Sequence, residues 1–153
     1  MSTSAIPDGF TSVTAYFSVN DAAKAIDFYV AAFEATELSR YEAPDGRIGH
    51  AELQIGNARV MLSDEYPEVG AISPTTLGGT SFAFMLYVED VDRAFDRAVE
   101  LGATIERPVD TQFYGDRLGT LLDPFGHRWN VATHVEDVSE EELQRRIKEL
   151  PQE

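Results

Sequence analysis

An internal repeat constrains this chain more than any other feature. Val19, Asp21, Lys24, Ala25, Ile26, Asp27 and Val30 recur 69 residues later as Val88, Asp90, Arg93, Ala94, Phe95, Asp96 and Val99. Ala35-Thr36 returns as Ala103-Thr104 after a one-residue deletion, and Arg47, Gly49 and Gly56 align with Arg117, Gly119 and Gly126. A spacing of this size means one supersecondary unit built twice, so the fold is a tandem arrangement.

The unit itself can be read from residue periodicity. Val13, Ala15 and Phe17 alternate with polar residues, which predicts a strand over 12–19. Asn20-Asp21 supplies a helix cap, and Ala22, Ala25, Ile26, Tyr29 and Phe33 follow at helical spacing, ending near 32–34. Strands are expected at 38–41, 48–55 and 59–63, separated by the turn signals Pro44-Asp45-Gly46 and Gly56-Asn57. The second copy predicts a strand at 81–88, a helix from Asp90 to Gly102 and a strand at 104–107. It closes with a hairpin whose turn is Asp123-Pro124-Phe125-Gly126, where Pro fixes φ and Gly accepts a positive φ. The fold class is therefore α+β, in two βαβββ modules spanning 10–65 and 80–134. The segment 64–80 holds Pro67, Gly70, Pro74, Gly78 and Gly79 and reads as a long connector, with Tyr66, Ile72 and Leu77 available to pack it. Ser139 with Glu142 is a capping box. It opens a C-terminal helix within 135–153 whose apolar stripe is Leu143, Ile147 and Leu150.

Composition narrows the function classes. There are no cysteines, which removes disulfides, thiolate metal sites and a Cys nucleophile. The net charge of −15 disfavours nucleic acid and anionic membrane and favours a cationic ligand. No run approaches the about 18 apolar residues of a membrane span, and residues 1–9 lack signal-peptide features, so the expected location is cytoplasmic. Gly-rich phosphate loops and nucleophile-elbow motifs are absent from the sequence.

Several side chains are placed to carry chemistry. His50 and Glu52 share a strand face at ligand-compatible spacing and could form a three-ligand site with Asp64 or Glu65. His127 follows the turn glycine and is expected to hydrogen-bond locally. Tyr114, Asp116 and Arg117 form a dense polar cluster. Arg117 could grip a carboxylate or phosphate in a bidentate fork, or pair internally with Asp116 or Asp123. Asn130 falls on the polar face of the last strand.

The Asp-led helices, the run Ile26-Asp27-Phe28-Tyr29 and the turn Asp123-Pro124-Phe125-Gly126-His127 resemble the vicinal oxygen chelate superfamily. Its members include glyoxalase, bleomycin-resistance and dioxygenase proteins. The stretches Ser73–Thr80, Phe113–Arg117 and Ala132–Asp137 resemble the PhnB-like branch more closely. The resemblance covers about residues 10–134 and implies one domain of two facing half-barrels around a cavity, in a homodimer. In metal-using members, two His and two Glu come from the first and last strand of each module. The matching positions here are Thr14, Ala83, Asn130 and either Val60 or Met61, none with an imidazole or carboxylate. The resemblance therefore implies a metal-independent protein without a cofactor, binding a small organic molecule in a mostly apolar cavity. Thr14, Tyr16, His50, Met61, Met85, Tyr114, Arg117 and Asn130 are its expected binding residues. The competing expectation is a metal-dependent lyase or isomerase using His50 and Glu52.

Overall fold

The structure, a computed structural model, describes residues 2–152. The chain divides into two compact units, Met1–Ser81 with Pro124–His127, and Phe82–Asp123 with Arg128–Glu153. The first unit contains β1 (Tyr16–Val19), α1 (Ala22–Phe33), β2 (Thr36–Glu42), β3 (Ile48–Ile55) and β4 (Ala58–Asp64). They form a sheet in the order β1-β4-β3-β2, with β1 parallel to β4 and the other pairs antiparallel.

Asp21 caps α1 by accepting from the Lys24 amide, and Glu34 ends it in the left-handed region at φ 56°. Helical spacing turns Ala22, Ala25, Ile26, Tyr29 and Phe33 inward against the sheet, where Leu53, Leu62 and Ala51 are fully buried. The half-buried Asp64 carboxylate ties the two layers together. It accepts from the amides of Ala22 (2.7 Å) and Ile48 (2.6 Å). The hairpin turn Pro124–His127 completes this core. Phe125 is buried beside Phe28 and Tyr29, at 6.3 and 6.4 Å between ring centres. His127 is buried as well, and its Nε2–H donates to the Ser18 carbonyl at 2.9 Å. That partner is 109 residues away in sequence, so the expected local bond gives way to a long-range one.

The connector is ordered. A 3₁₀ turn (Pro67–Val69) and the single-turn helix α2 (Pro74–Leu77) lie within it. Polar contacts hold it: the fully buried Ser73 gives its amide (2.8 Å) and hydroxyl (2.6 Å) to Glu65, whose carboxyl lies below its ordinary range chiefly because of the Ser73 hydroxyl. Ile72 and Leu77, expected to pack, are exposed instead.

The second unit repeats the plan with β5 (Ala83–Tyr87), α3 (Val91–Glu100), β6 (Thr104–Thr111), β7 (Asp116–Leu122) and β8 (Arg128–His134), in the order β5-β8-β7-β6. Asp90 caps α3 as Asp21 caps α1. Thr133 takes the part of Asp64, its hydroxyl oxygen accepting from the Val91 amide. Strand β6 runs four residues past its expected end despite Pro108, as an edge strand can. The C-terminal α4 (Glu140–Lys148) is capped by Ser139 and attached to this unit through Arg146, which reaches Glu136, Glu142 and the Phe113 carbonyl.

The ladders correct the repeat alignment in β3 and β7. Tyr16 pairs with Met61 and Met61 with Glu52; Met85 pairs with Asn130 and Asn130 with Thr120. Glu52 therefore corresponds to Thr120, Gly49 to Arg117 and Ala51 to Gly119. The sequence alignment is out by two there, because it carries a spacing of 70 residues through strands that the ladders match at 68. Arg47 and Arg117 accordingly have unrelated partners: Asp45 and Glu68 for the first, Asp92 for the second.

Candidate functional site

Each sheet has one face covered by its helix and an opposite face free of it. On the first sheet, strand alternation sends Tyr16, His50, Glu52 and Met61 to that opposite face. The ladder row reads Tyr16–Met61–Glu52–Ser39, with His50 beside Tyr41. The Tyr16 hydroxyl lies 2.9 Å from His50 Nδ1, and His50 Nε2 lies 3.1 Å from Glu52 Oε1. A carboxylate only accepts, so Nε2 carries the proton; in the neutral ring Nδ1 then accepts from Tyr16, whose hydroxyl also lies 3.4 Å from the Gly49 carbonyl. The Tyr41 ring stacks on His50 at 6.2 Å. Burial, the largest cause, raises the Tyr16 hydroxyl above 10, so it remains protonated near neutrality.

Opposite-face residues of the second sheet form the row Met85–Asn130–Thr120–Arg107. Around it lies a shallow hollow of about 400 Å³ lined by Glu106, Arg107, Thr120, Arg128 and Asn130. The Thr120 hydroxyl donates to Asn130 Oδ1 at 2.7 Å, which turns the Asn130 amide nitrogen outward as a donor. Arg128 pairs with Glu106 at 2.6 Å and holds its carboxyl below the ordinary range. Arg107 is exposed and makes no salt bridge or hydrogen bond among the described residues. The lining is thus polar, with two arginines against one glutamate, where an apolar pocket was expected.

At one end of this sheet, Asp116 is buried and accepts from Tyr87 (2.7 Å) and His134 Nδ1 (2.8 Å), while His134 Nε2 meets Asp137 at 2.7 Å. These bonds, Asp116 first, raise the His134 imidazole above 6.5.

Five of the eight expected site residues separate into two groups and three fall away. Tyr16, His50 and Met61 come together on the first sheet, and Met85 and Asn130 on the second. Thr14 lies two residues before β1, half exposed. Arg117 is on the helix face of β7. Its guanidinium is held bidentately by Asp92 of α3 at 2.8 Å and donates to Thr111, so neither the expected ligand grip nor a pairing with Asp116 or Asp123 occurs. Tyr114 stands in the β6–β7 loop against Phe113. Glu106, Arg107, Thr120 and Arg128 were not anticipated. A strand expectation ending at 107 gave Arg107 no cross-strand partner, and Thr120 lay inside an apolar run.

Of the four positions that hold metal in the wider family, the register selects Met61 over Val60 as the counterpart of Asn130. A thioether, a hydroxyl, a methyl and an amide do not fit a divalent ion that prefers imidazole and carboxylate. Nor is the alternative set assembled: Asp64 is occupied by two backbone amides and Glu65 by Ser73. Among the described residues no three His, Asp or Glu converge on one ion-sized point.

Residues 11–131 match the Glyoxalase/Bleomycin resistance protein/Dioxygenase superfamily. Uncharacterized protein Mb0911c of Mycobacterium bovis is 44% identical over 136 residues, covering 87% of this chain and 90% of that one. The crystal structure of TioX from Micromonospora sp. ML1 matches with TM-score 0.65 and 27% identity over 82% of this chain and 99% of its own. A PhnB protein from Bacillus cereus shares the fold at TM-score 0.64 and 17% identity, over 80% of this chain and 99% of its own. With the two βαβββ units in place and the family match spanning most of both, the chain belongs to the Glyoxalase/Bleomycin resistance protein/Dioxygenase superfamily.

Proposed function

We propose that this chain is a metal-independent small-molecule-binding protein that holds an organic anion in the hollow of its second sheet. The observation that carries the reading is the convergence of the exposed Arg107 with the Asn130 amide and Arg128 on one polar concavity, where both guanidinium charges act on Glu106. A guanidinium beside an amide donor suits a carboxylate next to a carbonyl or hydroxyl oxygen. The whole-chain charge of −15 favours cations at long range. Inside the hollow the local balance is positive by one, and contact chemistry decides what stays bound. Metal independence is supported by the donor set at Thr14, Met61, Ala83 and Asn130.

Native mass spectrometry of the protein as purified, with elemental analysis of the same sample, tests this reading. A small organic mass that survives gentle ionisation and disappears in Arg107→Gln and Asn130→Leu supports it. A stoichiometric transition metal, or an organic adduct indifferent to both substitutions, refutes it.

A further inference from the structure

The two sheets are an internal control for each other. In ladder register, Tyr16, His50 and Glu52 of the first correspond to Met85, Leu118 and Thr120 of the second. The second sheet forms the same ladder with no titratable group at any of the three positions. The first sheet therefore does not need a hydroxyl, an imidazole and a carboxylate in order to fold. Yet they are joined in the order that activates a hydroxyl. Glu52 holds the Nε2–H of His50, and the opposite nitrogen faces the Tyr16 oxygen at 2.9 Å. The same connectivity of acceptor, imidazole and hydroxyl raises the nucleophilicity of a hydroxyl on unrelated folds. Tyr16 is 52% exposed over the residue as a whole, on a sheet face that no helix covers.

We propose that Tyr16, His50 and Glu52 form an acyl-accepting site for ester substrates on the first sheet, separate from the hollow on the second. In the step, Tyr16 Oη attacks the ester carbonyl and its proton passes to His50 Nδ1. The new O–acyl bond forms as the bond to the leaving alkoxide or phenoxide breaks. The imidazolium, held by Glu52, returns the proton to the leaving oxygen. The products are an acyl-tyrosine and an alcohol or phenol, with no change of oxidation state.

The probe is p-nitrophenyl acetate. Release of p-nitrophenol is followed by absorbance, and the acetyl group is located by peptide mass mapping. Tyr41, more exposed at 65% and without a hydrogen bond to either His50 nitrogen, is the reference within the same molecule. Acetyl is expected on Tyr16 at least about 100-fold faster than on Tyr41, the low end of what a positioned base contributes. Tyr16→Phe should remove the fast phase. His50→Gln and Glu52→Gln should slow it while circular dichroism and the melting temperature stay close to the parent's. Labelling of Tyr16 at the rate of Tyr41, acetyl found on His50 alone, or a rate unaffected by His50→Gln would each overturn the proposal. The parent-only comparison remains decisive if a variant misfolds. Loss of anion binding at the hollow does not alter this readout, so the two readings fail independently.

Discussion

Replacing Gly119 by alanine should destabilise the second unit through steric crowding rather than backbone strain. A Cβ built on Gly119 would lie 2.7 Å from Cε2 and 3.0 Å from Cδ2 of Phe95, and 2.8 Å from Cγ2 of Val109. Carbon atoms rest at about 3.5–4.0 Å, so the ring and the valine must each retreat by roughly 0.7–1 Å. Phe95 is only 3% exposed on α3 and cannot swing into solvent. The retreat must therefore move the helix. Overpacking of this kind costs about 1–3 kcal/mol, which for a chain of this size lowers the melting temperature by about 2–12 °C. The first unit supplies the rescue, because its corresponding pair is Ala51 and Ile26, both essentially inaccessible to solvent. Phe95→Ile should cost stability alone yet recover much of the loss when combined with Gly119→Ala, a coupling of at least about 1 kcal/mol. Differential scanning calorimetry of the four proteins measures the cycle. A Gly119→Ala protein melting with the parent, or strictly additive effects, would refute the packing argument.

His134 has its imidazole raised above 6.5 by Asp116 and then Asp137, so its contribution is fully present below pH 6.5 and is lost as pH rises through the elevated value. An NMR titration should show that elevation, reduced in Asp137→Asn; a midpoint at or below 6.5 would contradict it. Asp64→Ala leaves the Ala22 and Ile48 amides without their acceptor and should cost about 1–3 kcal/mol in urea denaturation. Asp64→Thr, copying Thr133, should recover part of that loss, and equal melting of the two variants would argue against it. Met85 is 45% exposed beside Asn130, so Met85→Trp should change stability by no more than about 0.5 kcal/mol while abolishing any organic adduct seen by native mass spectrometry.

The fold was legible because duplication doubled every signal. The capping aspartates, the helical stripes and the Pro-Gly turn each appear where their physics requires. Even the missed helix α2 carries a sequence mark, since Ser73-Pro74 is an N-cap followed by proline at the first helical position. The site was less legible, because it depends on register. Arg47 and Arg117 align by identity yet sit two ladder positions apart, and Arg117, an odd step from Thr120 along β7, faces the helix rather than Asn130. Arg107 became visible only when β6 was paired with Thr120 across the strand. Polar anchoring of the connector was hidden for a related reason: the Glu65–Ser73 contact spans eight residues and belongs to no periodic pattern.

The turn Pro124–His127, which belongs to the first unit while the strands on either side of it belong to the second, bears on synthesis at the ribosome. When the first 81 residues have emerged, the core they build still lacks the Phe125 ring beside Phe28 and Tyr29, and the Ser18 carbonyl lacks its donor. Those groups arrive only after a further 46 residues have been translated, a delay of roughly 2–9 s at about 5–20 residues per second. The nascent N-terminal half must wait in an unfinished state, exposing aromatic surface to chaperones. A fragment ending at Ser81 should accordingly aggregate, and a synthetic peptide spanning the turn should be the piece it needs.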